Sequence, residues 1–178
     1  ETFIDNNGNQ IYDEGIDVPL DSAYMNNGPI IGVNILPGAK NQGLSSFVHY
    51  MSSHPTMGDP NNTGEARNYM LGFDKNGNLV DPCTWPFGVV AGGINCATVD
   101  PRYMYSGNPV TYTGWINTSS TDQRMLANTG PFVLEVNKPV DVLACYLVGR
   151  GENALNSIDY MKVYSTEAIQ IYQSNFTD

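Results

Sequence analysis

Positive charge is scarce in this chain, with eight Lys plus Arg against eighteen Asp plus Glu and a formal net charge of -10. A surface that acidic repels phosphate backbones and anionic headgroups, which excludes nucleic acid and membrane surfaces as partners and suits divalent cations. Charged residues of both signs make up only 15% of the sequence, against roughly a quarter in soluble domains. No run approaches the ~18 consecutive apolar residues of a transmembrane helix, so no membrane insertion is expected. Glu1 opens a polar stretch and no signal peptide is visible, so the chain reads as a mature product or an excised domain. Histidine is limited to His49 and His54, in HYMSSH. That spacing does not put two ligands on one helix face as an HExxH pair does. A nucleophile-elbow sequence is missing, and the glycine-rich GVVAGG lacks both the Walker lysine and the strand-to-helix context of a phosphate loop. The chain advertises no catalytic constellation.

What is present is Gly, Asn, Ser, Thr and Tyr among β-branched and aromatic residues, the composition of strands joined by turns. At 178 residues the length suits one domain with a real core. Strands are expected in IIGVNIL after Pro29, in LSSFVHYM (44–51), in RYMYSG and in VTYTGWI. A short helix or helical turn is expected in EARNYMLGF (65–73), and a tight turn at Asn76-Gly77. PFVLEV and PVDVLACYLVG, separated by Asn137-Lys138, read as a hairpin pairing 132–136 with 140–148. The second of these runs is apolar on both faces, as in the middle of a sheet. From Ser157 to about Ser174, Ile158, Met161, Tyr164, Ala168, Ile171 and Tyr172 fall on one helical face, with Ser157 as cap. The fold class expected is mostly β, a β-sandwich of jelly-roll or immunoglobulin-like type with one C-terminal amphipathic helix. The expected layout is a single domain, 1–178, with an N-terminal loop (1–17), a sandwich (18–152) and the helix (153–176).

Two features could carry chemistry. In FIDNNGNQIYDEGID, Asp5, Asn7, Asn9, Ile11 and Asp13 occupy positions one, three, five, seven and nine of a twelve-residue calcium loop, Ile11 through its backbone carbonyl. Gln10 replaces the turn glycine, and Ile16 replaces the closing Glu, leaving Asp17 or Glu14 to supply that carboxylate. The alternative is an Asx-rich turn without metal. The similar run from Asp74 to Asp81 reads as a hairpin turn, because Lys75 brings a positive charge beside it. The second feature is the aromatic crowd of Trp85, Phe87, Tyr103, Tyr105, Tyr112 and Trp115. These rings either fill the core or stack on a sugar or protein partner.

Three cysteines remain. Cys83 and Cys96 flank TWPFGVVAGGIN, and a disulfide there would contribute roughly 3 kcal/mol by restricting the unfolded chain; two buried thiols are the alternative. Such a bridge fits an oxidising exterior. Cys145, inside VLACYLV, reads as a buried core thiol.

GNPVTYTGWI, DQRMLANTGPFVLEVNKPVDVLACYLVGRG and LNSIDYMKVYSTEAIQIYQSNF together resemble an uncharacterised β-rich module. That module recurs in large surface proteins exported by the type IX route, upstream of the sorting domain. The likeness spans roughly residues 103–176 and continues weakly through SSFVHYMSSHPTMGDPNN. It implies secretion, a place among tandem modules and no catalytic residue. In that module Gly114, Trp115, Gly130, Gly149 and Gly151 are turn and packing points, and Asp122 with Arg124 is a recurrent pair that either forms an internal ion pair or contacts the Gly149-Arg150-Gly151 turn. The expected function is therefore a non-catalytic extracellular or cell-surface module with a structural, adhesive or binding role. Calcium is its expected cofactor, and neighbouring modules, other subunits or a glycan are its expected partners. The alternatives are a fibre subunit, or part of a secreted hydrolase using carboxylates such as Asp59, Asp122 and Glu135.

Overall fold

The computed structural model describes residues 4–9, 13–18, 22–26, 33–37, 43–132, 136, 142–174 and 176. Their elements run β1 (Ser22–Asn26), β2 (Val33–Pro37), β3 (Leu44–Met51), α1 (Thr63–Met70), β4 (Gly88–Ala91), β5 (Gly114–Asn117), β6 (Gln123–Thr129) and α2 (Ala154–Gln173). The strands pair antiparallel as β1–β2, β3–β6 and β4–β5, three sheets of two strands each. The content is therefore mixed: small antiparallel sheets and two α-helices, one of them the expected C-terminal helix. Glu1–Gln42 joins Phe132–Asp178 in one unit, and Gly43–Pro131 forms the other.

In the unit Gly43–Pro131, period-two alternation along β3 turns Ser46 and Val48 inward. Val48, Met57, Tyr69, Val80, Met104 and Trp115 close the core around them. Several polar groups inside are satisfied. The Ser46 hydroxyl donates to the Met70 carbonyl (3.0 Å) and accepts from Asn128 Nδ2 (2.9 Å), while Tyr69 Oη donates to the Gly58 carbonyl (2.6 Å). The helix α1 starts because Asn62 Oδ1 accepts from Glu65 N (3.0 Å) while the Glu65 carboxylate accepts from Asn61 N (2.8 Å), a reciprocal cap. Asn76-Gly77 turns as expected, closed by Asp74 Oδ1 accepting from the amides of Asn76 and Asn78.

Two expected strands in this unit are shorter or missing. RYMYSG makes turns and pairs its backbone with β3 through a parallel bridge between Tyr103 and Phe47, because Tyr105 takes a left-handed backbone (φ 56°). Of VTYTGWI, only the part from Gly114 onward belongs to β5; Tyr112 is also left-handed (φ 54°), which breaks extension just before it.

In the other unit, α2 begins three residues before the expected cap, because Asn153 and not Ser157 accepts from a first-turn amide, that of Asn156 (2.9 Å). Gly149 lies against this helix so closely that a Cβ would stand 2.8 Å from Met161 N, which explains a glycine there. The expected hairpin falls largely on 133–135 and 137–141, outside the described residues. Its described part corrects the reading: residues 142–148 form no strand, and Tyr146 and Val148 are 95% and 89% exposed. A run apolar on both faces needs a sheet on each side, and no described strand pairs with it. The Cys145 thiol, expected in the core, is exposed with it.

Candidate metal loop and aromatic cluster

The N-terminal loop folds on itself through its own polar side chains. Ile4 and Val18 bridge antiparallel and bring its two ends together. Between them Asp5 Oδ1 accepts from Gly8 N (2.6 Å), and Asn7 Oδ1 accepts from Asn9 N (3.1 Å), the Asx geometry of a polar turn. Asn7 and Asn9 each donate a side-chain N–H to one oxygen, Asp13 Oδ2, at 2.7 and 2.6 Å. Positions three, five and nine of the expected calcium loop thus meet at one carboxylate. Ile11 lies outside the described residues. Asp17 is buried, and both of its oxygens hold backbone: Oδ1 accepts from Asn6 N (2.9 Å) and Oδ2 from Asp13 N (2.7 Å). It staples the loop shut, so of the two carboxylates considered for closing a cation shell, the exposed Glu14 is the one with room to move.

Among the described residues no three His, Cys, Asp or Glu side chains gather as a metal-binding group. The donors that do gather are amides with a carboxylate. Half a turn about the terminal torsion of an Asn exchanges N–H for carbonyl oxygen at the same place. The residues thus fit a hard cation by donor type, oxygen from Asn and Asp, though with fewer carboxylates than a tight calcium loop carries.

Cys83 and Cys96 form the expected disulfide, with Cα atoms 5.1 Å apart. The loop it closes carries Trp85, Phe87 and β4. Trp85 and Phe87 meet edge to face (5.2 Å), and Trp85 Nε1 donates to Tyr105 Oη (2.9 Å), which donates to the Phe87 carbonyl (3.2 Å). Burial pushes the Tyr105 phenol above its ordinary pKa, outweighing the Trp85 hydrogen bond. Trp115 is fully buried against Tyr105 and Gly88; a Cβ on Gly88 would stand 2.7 Å from the indole nitrogen, which has no hydrogen-bond partner. Tyr103 is spent on the Leu44 carbonyl (2.9 Å). The proposed binding aromatics therefore divide. Trp115 is core, Tyr103 and Tyr105 are half-buried supports, and Trp85 with Phe87 forms the partly exposed margin.

Sequence reasoning set both histidines aside, yet both join this cluster. His54 stands edge-on to Trp85 and to Phe87 (5.5 Å each), and His49 to Tyr105 (5.1 Å). The available signal was His54-Pro55 at the start of a polar turn, where an imidazole nitrogen can take the part of an Asx oxygen. Of the two roles considered for Asp122 and Arg124, the described contact is the ion pair (3.3 Å), and Asp59 joins them with a 2.6 Å contact to the same guanidinium.

No protein-family model, no curated protein and no solved structure matches the chain. The disulfide belongs with an oxidising environment, and no helix among the described residues is long and apolar enough to cross a membrane.

Proposed function

We propose that the chain is a non-catalytic module of an extracellular or cell-surface protein, of the type IX-exported kind, with a structural, adhesive or binding role and a calcium-stabilised N-terminal loop. The observation that carries this reading is the convergence of Asn7 and Asn9 on Asp13 Oδ2 in a loop whose described apolar side chains, Ile4 and Ile16, are exposed and do little to order it. A divalent ion at that point turns repulsion among Asp5, Asp13 and Glu14 into attraction. The disulfide supports the extracellular part. In this reading the antiparallel pairs belong to a β-sandwich architecture, and partners are neighbouring modules, other subunits or a glycan at the Trp85–Phe87 margin. The hydrolase alternative is weaker. Asp59 and Asp122 are both engaged by Arg124, and Glu135 lies outside the described residues. Isothermal titration with calcium, in wild type and Asp13→Ala, tests the loop. Heat that titrates with a Kd of roughly 10⁻⁴ to 10⁻³ M and vanishes in the variant supports it; no heat in either leaves a metal-free turn.

A further inference from the structure

The two histidines are the only side chains whose ordinary pKa lies near neutrality, and their partners fix opposite roles for Nδ1. At His49, Nδ1 lies 2.9 Å from Gln123 Oε1. That oxygen also accepts from Asn117 Nδ2 (2.6 Å), while Gln123 Nε2 donates to the Ser119 carbonyl (3.1 Å). His49 Nδ1 is thus the donor, and a second proton at Nε2 leaves its hydrogen bond intact. At His54 the partners are backbone amides. Met57 N donates to Nδ1 at 2.9 Å and Thr56 N at 3.3 Å. Nδ1 must be an acceptor, the neutral ring carries its proton on Nε2, and protonation turns the acceptor into a donor facing two donors.

The turn held this way is under tension and tied to the core. Ser53 sits in the left-handed region (φ 63°). His54 N donates to the Met51 carbonyl (3.2 Å), Met51 N donates to the Met57 carbonyl (2.7 Å), and Met57 is fully buried. Gly58 lies so close to the His54 carbonyl that a Cβ there would collide with it. On its outer side the ring meets the edges of Trp85 and Phe87. No charged group among the described residues pairs with it. The chargeable groups on the surrounding segments are engaged elsewhere: Asp59 with Arg124, Lys75 with Glu65, and Asp81 with Cys83 N and Thr84 Oγ1.

We propose that His54 is an acid-operated latch: protonation at Nδ1 releases the 52–58 turn and loosens the packing of Trp85 and Phe87 against it. Burial lowers the pKa of His54 and also of His49, where the Gln123 bond partly opposes it. For a base lowered on folding, the stabilisation is complete above the unfolded value of about 6.5 and is lost as pH falls from there through the folded value. Each such proton raises the unfolding constant up to tenfold per pH unit in that window.

Denaturant unfolding followed by tryptophan fluorescence between pH 7.5 and 5 tests the latch in wild type and His54→Asn, whose Oδ1 can accept from the same amides without titrating. The expected result is that the variant loses one proton's share of the pH slope, up to tenfold per unit, and keeps the share of His49. Retention of the full slope overturns the proposal. If His54→Asn does not fold, ¹⁵N spectra of the wild-type imidazoles decide: an Nε2–H tautomer for His54 at neutral pH, with the Met57 amide shifting as the ring titrates, supports it. An Nδ1–H tautomer overturns it.

Discussion

Gly43–Pro131 and the unit made of Glu1–Gln42 with Phe132–Asp178 use similar amino acids in opposite ways. The first buries Val48, Met57, Tyr69, Met104 and Trp115, satisfies Ser46 and Asn128 inside, and carries the disulfide. In the second, Asp17 is the only buried residue among those whose side chains are described, while Leu143, Tyr146, Val148, Val163 and Ile169 are exposed. The stability of the first therefore rests on burial, and the second relies on caps, backbone bonds and a polar loop. A unit of that second kind has the most to gain from a bound ion or a neighbour.

The largest effect that tests this contrast comes from Trp115→Ala. Removing a fully buried indole costs about 3–5 kcal/mol, whereas Ile169→Ala, on an exposed stretch of α2, should stay within about 0.5 kcal/mol. Denaturant titrations of both variants check the difference; equal losses would mean α2 is as well packed as the core. Next is the disulfide. Cys83→Ser with Cys96→Ser should cost roughly 3 kcal/mol. Thiol counting on the unreduced wild type should find one reactive cysteine, Cys145, without unfolding. A thiol that reacts only in denaturant would place Cys145 in a core after all.

The legible parts of the sequence follow this same division. LSSFVHYM, the Asn-Gly turn and EARNYMLGF announce themselves through local pattern, and local pattern decides where side chains pack on one nearby core. The bridge between Cys83 and Cys96 was readable because a glycine-rich loop closes easily. What could not be read were partnerships set by tertiary contact. His54 looks like a loop residue until the amides of Thr56 and Met57 are seen to point at it. VLACYLV looks like a central strand because composition states that it prefers burial and cannot state what would bury it. Asp17 stood one residue past the closing position as a substitute carboxylate, yet that carboxylate is taken by Asn6 N and Asp13 N. Spacing does not show that competition from the backbone.

Calcium sharpens the comparison from the other side. At a hundred times its dissociation constant the ion should stabilise the N-terminal unit by about 2.7 kcal/mol. Both tryptophans lie in Gly43–Pro131, so their fluorescence reports that unit. Thermal scans with millimolar calcium and with chelator should therefore move a circular-dichroism transition that includes α2 more than the fluorescence transition. Equal movement of both probes would mean the units unfold as one, and no movement in either, matched by Asp5→Ala, would leave an Asx turn.

The smallest effect isolates the helix caps. Both helices begin on an asparagine that accepts a hydrogen bond from the amide three residues on, Asn62 from Glu65 and Asn153 from Asn156. Either Asn→Ala change should cost about 1 kcal/mol, and the two should differ in where the loss is felt. Around Asn62 the box is closed by Glu65, whose pKa is lowered chiefly by the Asn61 amide it accepts from, and Tyr69 at the far end of α1 is buried in the core. Fraying there should pull on Tyr69 and shift the fluorescence transition. Around Asn153 the support is local: Ser157 Oγ donates to the Asn153 carbonyl (2.8 Å) and accepts from Gly151 N (3.0 Å), and Asn156 Oδ1 accepts from Glu152 N (3.1 Å). With no buried residue along its length, α2 draws much of its stability from that first turn, as isolated helices do. Asn153→Ala should reduce far-ultraviolet helicity and leave the tryptophan transition in place, while Asn153→Asp, which keeps the acceptor and adds charge at the positive end of the helix, restores it. A fluorescence shift in Asn153→Ala as large as that in Asn62→Ala would show that the two units share one cooperative transition.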